Sequence, residues 1–348
     1  MTWIREDNLS QTDPKGNTLL SVVVPAFNEE EVLPLFHQRL SEILDSMPIR
    51  AEIIYVNDGS SDNTLLVLQT LRKSDPRIAI LDLSRNFGKE IALTCGLDFV
   101  QGDAAVVIDA DLQDPPELIH EFIQHWQDGY DVVYAQRIAR EGETVLKKAT
   151  ARLFYRLIRR VGRVMLPENT GDYRLLSRRA VDSLKQLREH HRFMKGLFAW
   201  IGYSQKAVPF TRDPRYAGKT KWNYWKLWNL ALEGITSFTT MPLKLATYFG
   251  VITATGAFVY GSYFLAKTLL LGNPVPGYPS LLVIMLFLGG VQLVALGIIG
   301  EYLGRTFNES KNRPLYFLKG YEPSVSREKL DVAKNRPSRL GGDSGNAL

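Results

Sequence analysis

Asp109-Ala110-Asp111 closes an apolar run from Ala104 to Ile108, and in extended backbone its two carboxylates fall on one side. Carboxylates at that spacing suit a hard divalent cation, Mg²⁺ or Mn²⁺, which would itself hold a diphosphate. An Asp-x-Asp triplet alone also serves turns and helix caps. Here it continues through Leu112-Gln113-Asp114-Pro115-Pro116-Glu117, where the proline pair suits the end of a loop and the start of a helix. Asn57-Asp58-Gly59-Ser60-Ser61-Asp62 is a second acidic turn. In it Asp58 can accept hydrogen bonds from a base or ribose and Gly59 permits a tight turn, although an Asx turn with a helix cap has the same composition. Pro25-Ala26-Phe27-Asn28-Glu29-Glu30 is a third, readable as a site loop or as a capped helix start. Three acidic turns at three strand ends are hard to attribute to capping alone.

The elements that must position these turns follow from the apolar pattern. Leu20 to Val24, Glu52 to Val56, Ala79 to Leu83 and Ala104 to Ile108 are short β-rich runs, with helical stretches such as Glu30–Met47 and Thr64–Lys73 between them. Alternating strand and helix predicts an α/β domain with a mostly parallel, Rossmann-like sheet. Such sheets bind ligands outside the carboxyl ends of their strands, where the acidic turns stand. The domain is expected over 19–215, after a polar leader, 1–18.

Two segments are of another kind. Leu245 to Ala266 holds 22 residues without a charge and Ser280 to Gly300 another 21. Each is about 30 Å long as a helix, the thickness of a bilayer core. With a short turn at Gly272-Asn273-Pro274 and Pro276-Gly277 they predict a membrane hairpin, about 245–270 and 280–301 within 244–304. Lys219, Lys221, Lys226 and Lys244 precede it and Arg305, Lys311 and Arg313 follow, so positive-inside logic keeps the soluble domain and the tail, 305–348, in the cytosol. The first residues, Met1-Thr2-Trp3-Ile4-Arg5-Glu6-Asp7, lack the apolar region of a signal peptide. Between Arg137 and Met165 stand nine Lys or Arg against two Glu, and apolar residues recur there at helical spacing. An amphipathic basic helix over about 145–166 suits an anionic membrane surface, as it would also suit a solvated face of the domain. Trp222-Asn223-Tyr224-Trp225-Lys226-Leu227-Trp228, within an interfacial segment 216–243, resembles an aromatic belt.

The chain has 348 residues, 45% hydrophobic and 23% charged, with a net charge of +5, a composition that excludes a disordered tail, a collagen-like chain and a disulfide scaffold. Cys95, the single cysteine, cannot form an internal disulfide. The basic residues cluster beside apolar helices, and no nucleic-acid partner is expected.

Val22-Val23-Val24-Pro25-Ala26-Phe27-Asn28-Glu29 and the turns at Asp58 and Asp109 resemble the nucleotide-sugar site of family 2 glycosyltransferases, which have the GT-A fold. Thr170-Gly171-Asp172-Tyr173-Arg174-Leu175 and Arg215-Tyr216-Ala217-Gly218-Lys219-Thr220-Lys221-Trp222, with the hairpin, narrow the likeness to polyprenyl-phosphate glycosyltransferases. Arg192-Phe193-Met194-Lys195-Gly196 and the stretch 222–238 make it most similar to the bactoprenol (undecaprenyl-phosphate) glucosyltransferases, with dolichol-phosphate mannose synthase a relation. The resemblance covers about 20–315, and departs in having Thr220 where the family usually has Ser, which keeps the hydroxyl.

The resemblance implies that Pro25, Phe27, Glu29 and Asp58 hold the nucleoside, with Lys89 nearby. It implies Asp109 on ribose or diphosphate, and Asp109, Asp111 and Gln113 around Mg²⁺ or Mn²⁺. Asp172 matches the proposed catalytic aspartate, with Asp111 beside it in the chemistry. Arg215, Lys219 and Lys221 would receive the lipid phosphate. Arg137 and Arg140 could close over the donor diphosphate or lie in a surface loop. The implied reaction is inverting transfer of a sugar, glucose from UDP-glucose, to undecaprenyl phosphate at the cytoplasmic face of a bacterial inner membrane, for O-antigen or cell-envelope glycans. N-acetylglucosamine, galactose, mannose or a modified arabinose are other donor sugars. A processive polysaccharide synthase is a second reading, against which stands the absence of a Gln-x-x-Arg-Trp pentapeptide. An anchored nucleotide-sugar sensor is a third. Gly256, Gly261, Gly289, Gly290 and Gly297 would permit close helix packing, within the hairpin or in a homo-oligomer.

Overall fold

The computed structural model describes residues 18–138, 167, 169–211, 241–271 and 277–325. The chain runs β1 (Leu19–Ala26), α1 (Leu33–Asp45), β2 (Arg50–Asn57), α2 (Thr64–Ser74), β3 (Ile78–Leu83), α3 (Lys89–Asp98), β4 (Ala104–Val107) and α4 (Leu118–Gln127). It continues through β5 (Val132–Arg137), β6 (Thr170–Ser177), α5 (Arg178–Gln186), α6 (Met194–Trp200), β7 (Gln205–Phe210), α7 (Met241–Leu271), α8 (Tyr278–Ser310) and β8 (Leu318–Glu322). The eight strands make one sheet, ordered β7-β5-β6-β4-β1-β2-β3-β8. Only β6 and β8 run against the other strands, so the sheet is mixed and mostly parallel, as expected.

The four central strands are apolar on both faces because helices cover both. Side-chain alternation sorts them: Val22, Val24, Ile53 and Tyr55 join Phe36, Leu40 and Phe122 in one core. Val23, Ile54 and Val56 join Leu93, Leu97 and Phe198 in the other. α3 lies unusually close to β1, since a Cβ on Gly96 would stand 2.3 Å from Val23 Cγ1. That approach brings Lys89, the first residue of α3, over the carboxyl end of the sheet. The chain order reverses between β1 and β4, which opens a crevice at their carboxyl ends.

α7 and α8 pack against each other and carry two windows, Leu243–Phe264 and Phe287–Ser310, long and apolar enough to cross a membrane. α8 runs past the apolar segment into charged sequence, where Arg305 donates to Glu301 one turn earlier at 2.9 Å. It ends before Asn312, which adopts a positive φ, and Pro314. The tail then returns: β8 pairs antiparallel with β3 and covers that sheet edge. Strands of one sheet therefore stand on both sides of the helix pair in the chain, and the end of α8 lies against that body through Glu309 and His190. Among the described residues, a Cβ on Gly256, Gly261, Gly289, Gly290 or Gly297 would meet nothing within 4 Å. The leader, the basic stretch 145–166, the segment 216–240 and the tail beyond 325 lie outside the described residues.

Candidate active site

The register of β4 and β6 decides which carboxylates meet. Val107 is paired with Arg174 in this antiparallel ladder, so two residues further on Asp109 stands opposite Asp172. Like charges in that relation repel. Lys89 resolves the conflict, its Nζ donating to Asp109 Oδ2 at 2.7 Å and to Asp172 Oδ2 at 2.6 Å. Burial works against the ammonium, but the two carboxylates outweigh it and hold the lysine above its ordinary pKa. Burial also pushes Asp172 upward, yet Lys89 and Lys195 bring its carboxyl down to about 2. Asp172 is only 7% exposed. Its Oδ1, and that of Asp109, are buried with no hydrogen-bond partner among the described residues.

Lys89 is aimed by the turn before it. Asp58, at the end of β2, accepts from the backbone N–H of Phe87 at 2.7 Å and of Gly88 at 2.9 Å. Gly59 has φ +62°, and a Cβ there would sit 2.3 Å from the Arg85 carbonyl carbon. Only glycine lets the β2 and β3 turns touch. Asp58 was expected on a nucleoside; both its carboxylate oxygens here brace the turn that carries Lys89.

The first turn is laced to the second. Asn28, at φ 55°, accepts from the Ser61 N–H through its side chain at 2.8 Å, and the Glu29 N–H donates to Thr64 Oγ1 at 2.9 Å. Phe27 stays 41% exposed, while Pro25 is half-buried in β1. In the third turn, Leu112 takes φ 57°, a conformation that bulky residues rarely hold and that recurs at functional loops. Asp111 Oδ1 accepts from the Gln113 N–H at 3.1 Å. The far end of this loop is fixed twice: Tyr173 Oη donates to the Pro115 carbonyl at 2.9 Å, and Arg39 makes a two-pronged contact with Glu117 at 2.7 and 2.9 Å. Arg137, ending β5, lies beside Gly171 with Nη2 3.8 Å from Asp114 Oδ1. The structure thus brings together Asp58, Lys89, Asp109, Arg137 and Asp172. Arg140, Arg215, Lys219 and Lys221 lie outside the described residues.

Three members of the cluster were not singled out from sequence. Arg174 is buried, with Nη2 donating to the Gly171 carbonyl at 2.8 Å and its guanidinium 3.8 Å above the Phe198 ring. Glu90 accepts from the Met194 N–H at 2.9 Å, and burial together with Asp172 raises its carboxyl to about 7. Lys195 is half-buried within electrostatic reach of Asp172, Lys89, Arg174 and Glu90. Only the motif around Met194 marked this segment, and nothing in its spacing pointed to the site.

Residues 21–185 match the family model described as glycosyl transferase family 2. An uncharacterized glycosyltransferase of Synechocystis sp. is 56% identical over 299 residues, covering 86% of this chain and 94% of that protein. The bactoprenol glucosyl transferase of Shigella phage SfV is 49% identical over 300 residues, 86% of this chain and 98% of that protein. A prophage bactoprenol glucosyl transferase homolog of Escherichia coli is 48% identical with the same two shares. Among solved structures, glucosyl-3-phosphoglycerate synthase from Mycobacterium tuberculosis, in complex with Mn²⁺, UDP-glucose and phosphoglyceric acid, is 21% identical. It covers 63% of this chain and 78% of that one, with a TM-score of 0.42.

Proposed function

The chain belongs to the family 2 glycosyltransferases, a family of GT-A enzymes, and from that premise we propose that it moves one sugar from a nucleotide donor, UDP-glucose, to undecaprenyl phosphate. The observation that carries this reading is the joining of two features in one sheet. A carboxylate and lysine cluster lies at the strand ends, and the apolar helix pair is followed by β8, which joins that sheet. A water-soluble donor and a lipid acceptor could both reach such a place. The relatives named bactoprenol glucosyl transferases support the acceptor class and glucose. The placement that follows is the cytoplasmic face of a bacterial inner membrane, with the product serving O-antigen or other envelope glycans.

Glycosyl transfer develops positive charge on the sugar and negative charge on the leaving diphosphate. The acceptor, a phosphate monoester, already carries about −1.5 to −2 at pH 7 and needs no general base. Asp172 fits that requirement, because a carboxyl held near 2 is ionised at neutral pH and accepts protons poorly. Its role is to orient the acceptor and to face the positive charge at the sugar. Phe27 would stack on the base, with Pro25, Glu29 and Asp58 shaping the nucleoside pocket, and Arg137 would meet the diphosphate. Arg215, Lys219 and Lys221 would hold the lipid phosphate.

Asp109, Asp111 and Gln113 would hold Mg²⁺ or Mn²⁺. The fit is chemical: the donors are oxygens, and Asp109 Oδ1 is buried and unpartnered. Among the described residues no three His, Cys, Asp or Glu side chains form a ready cage. Mg²⁺ takes one or two carboxylates and completes its shell with phosphate and water. A bound cation supplies neutralisation of the leaving diphosphate.

The test is incubation of the purified chain with Mg²⁺ or Mn²⁺, undecaprenyl phosphate and a panel of radiolabelled nucleotide sugars. One labelled single-sugar lipid is expected, with glucose as the sugar, and it should disappear in Asp111→Ala and in EDTA. Nucleotide binding without labelled lipid from any donor would overturn the reading in favour of a sensor, and a lengthening glycan would favour a polymerase.

A further inference from the structure

Three cations enter the cluster around Asp172, and two are already engaged. Lys89 is shared by Asp109 and Asp172, and Arg174 is spent on the carbonyls of Gly171 and Asp172 and on the Phe198 ring. Lys195 is left over. It is half-buried and makes no ion pair among the described residues. A half-buried ammonium that feels Asp172 without an ion pair to it is stabilised when a further anion arrives. Burial first, then Lys89 and Arg174, hold its pKa below the ordinary lysine value, against the opposing pull of Asp172.

Its place in the fold says which anion. The nucleoside loops follow β1 and β2, on the far side of Asp109 from β6. Lys195 approaches from the opposite side, on α6, which packs against β6. The loop leading into α6 is seated on the end of α8. The His190 N–H donates to Glu309 Oε1 at 2.8 Å, His190 Nδ1 lies 3.2 Å from Glu309 Oε2, and His190 Nε2 lies 2.8 Å from the Arg313 carbonyl oxygen. Glu309 falls within the last turn of the apolar helix Phe287–Ser310. Lys195 therefore stands a few residues along the chain from the helix end by which a lipid would arrive. Its backbone neighbour Met194 is tied by Glu90 to the helix that carries Lys89.

We infer that Lys195 binds the phosphate monoester of the lipid acceptor, on the side of Asp172 opposite the donor. This rests on the reading of the chain as a polyprenyl-phosphate glycosyltransferase. No bond is made or broken by Lys195; its ammonium pairs with the acceptor's phosphate and leaves it the nucleophile.

The experiment uses the full chain in detergent, with Lys195→Met and Lys195→Arg beside the wild type. Farnesyl phosphate and UDP are titrated separately by calorimetry, and transfer to undecaprenyl phosphate is measured. Lys195→Met should weaken farnesyl phosphate binding about tenfold, or 1.4 kcal/mol, and leave UDP binding unchanged. KM for the lipid should rise with little change in kcat, and Lys195→Arg should recover most of the affinity. Intact UDP binding reports that each variant is folded, and if Lys195→Met unfolds, Lys195→Gln takes its place. Wild-type farnesyl phosphate affinity in a folded variant overturns the inference alone, as does a loss confined to UDP, which would assign Lys195 to the donor diphosphate. A wild-type chain that binds no farnesyl phosphate overturns the acceptor reading and this inference with it.

Discussion

Lys89→Met keeps the aliphatic stem of the side chain and deletes the ammonium that Asp109 and Asp172 share at 2.7 and 2.6 Å. At an effective dielectric of about 20, each contact is worth roughly 6 kcal/mol of gross Coulomb attraction. Hydration given up by the three groups offsets most of that. The lysine side chain also remains 41% exposed, so solvent screens what is left. A fully buried pair costs about 3–5 kcal/mol to break, and this half-open one should cost on the order of 2–3 kcal/mol. For a domain of this size that is a fall in melting temperature of about 4–12 °C.

The pH dependence carries a sign. Asp172 has its carboxyl lowered in the folded chain, so its share of the stability is full above the ordinary carboxylate pKa and is lost as pH falls through about 2. The gap between wild type and Lys89→Met should therefore be complete at pH 6–8 and close only below about pH 4. Millimolar Mn²⁺ should raise the melting temperature of the variant more than that of the wild type, because a divalent cation can stand between the carboxylates that the lysine has left. Differential scanning fluorimetry of the detergent-solubilised chain measures all of this. A wild-type melting temperature at pH 7.5, or a gap that widens toward pH 3, would refute the reasoning.

Two further outcomes follow from the same cluster and its support. Glu90 has its carboxyl raised to about 7 by burial and by Asp172, so it favours the fold below its unfolded pKa near 4.5 and loses that contribution as pH rises through 7. Glu90→Gln should match the wild type near pH 4.5 and become the more stable chain above pH 7; parallel melting curves across that window would contradict this. Gly59→Ala places a Cβ 2.3 Å from the Arg85 carbonyl carbon at φ +62°, so it should destabilise by about 2 kcal/mol or more and weaken nucleotide binding with it. Chemical denaturation and a UDP titration read the two effects separately, and an unchanged midpoint would show that the β2 and β3 turns part easily.

The acidic turns were legible in sequence because strand ends and turn chemistry are local, and β1 to β4 could be read from runs such as Val22-Val23-Val24. The apolar helices were legible for the same reason, to within a few residues at their starts. What the local pattern does not contain is pairing across distance. β8, Leu318-Lys319-Gly320-Tyr321-Glu322, has little apolar content and is a strand only because β3 offers it an edge. Asp172 could be named by resemblance, but its standing opposite Asp109 depends on β6 entering antiparallel beside β4, which no periodicity encodes. Lys195 and Glu90 escaped for a related reason: each sits on a short helix whose polar residues give no sign of the direction in which they point.

Once that pairing is known, the remaining residues follow with few alternatives. Two carboxylates facing each other at a strand boundary require a cation, and no residue of β4 or β6 supplies one to both. Here it comes from the start of α3, after the turn that follows β3, where Lys89 reaches both carboxylates across β1 and β2. For that turn to reach inward, α3 must lie close on β1, which Gly96 allows, and the turn itself must be held, which Asp58 does with two backbone hydrogen bonds. Asp58 is thus as much a part of the mechanics of Lys89 as of any nucleoside pocket. Removing its carboxylate would release the turn before it deprived a base of an acceptor. A loss of activity in an Asp58 variant therefore becomes evidence for nucleoside contact only if Lys89 still bridges Asp109 and Asp172.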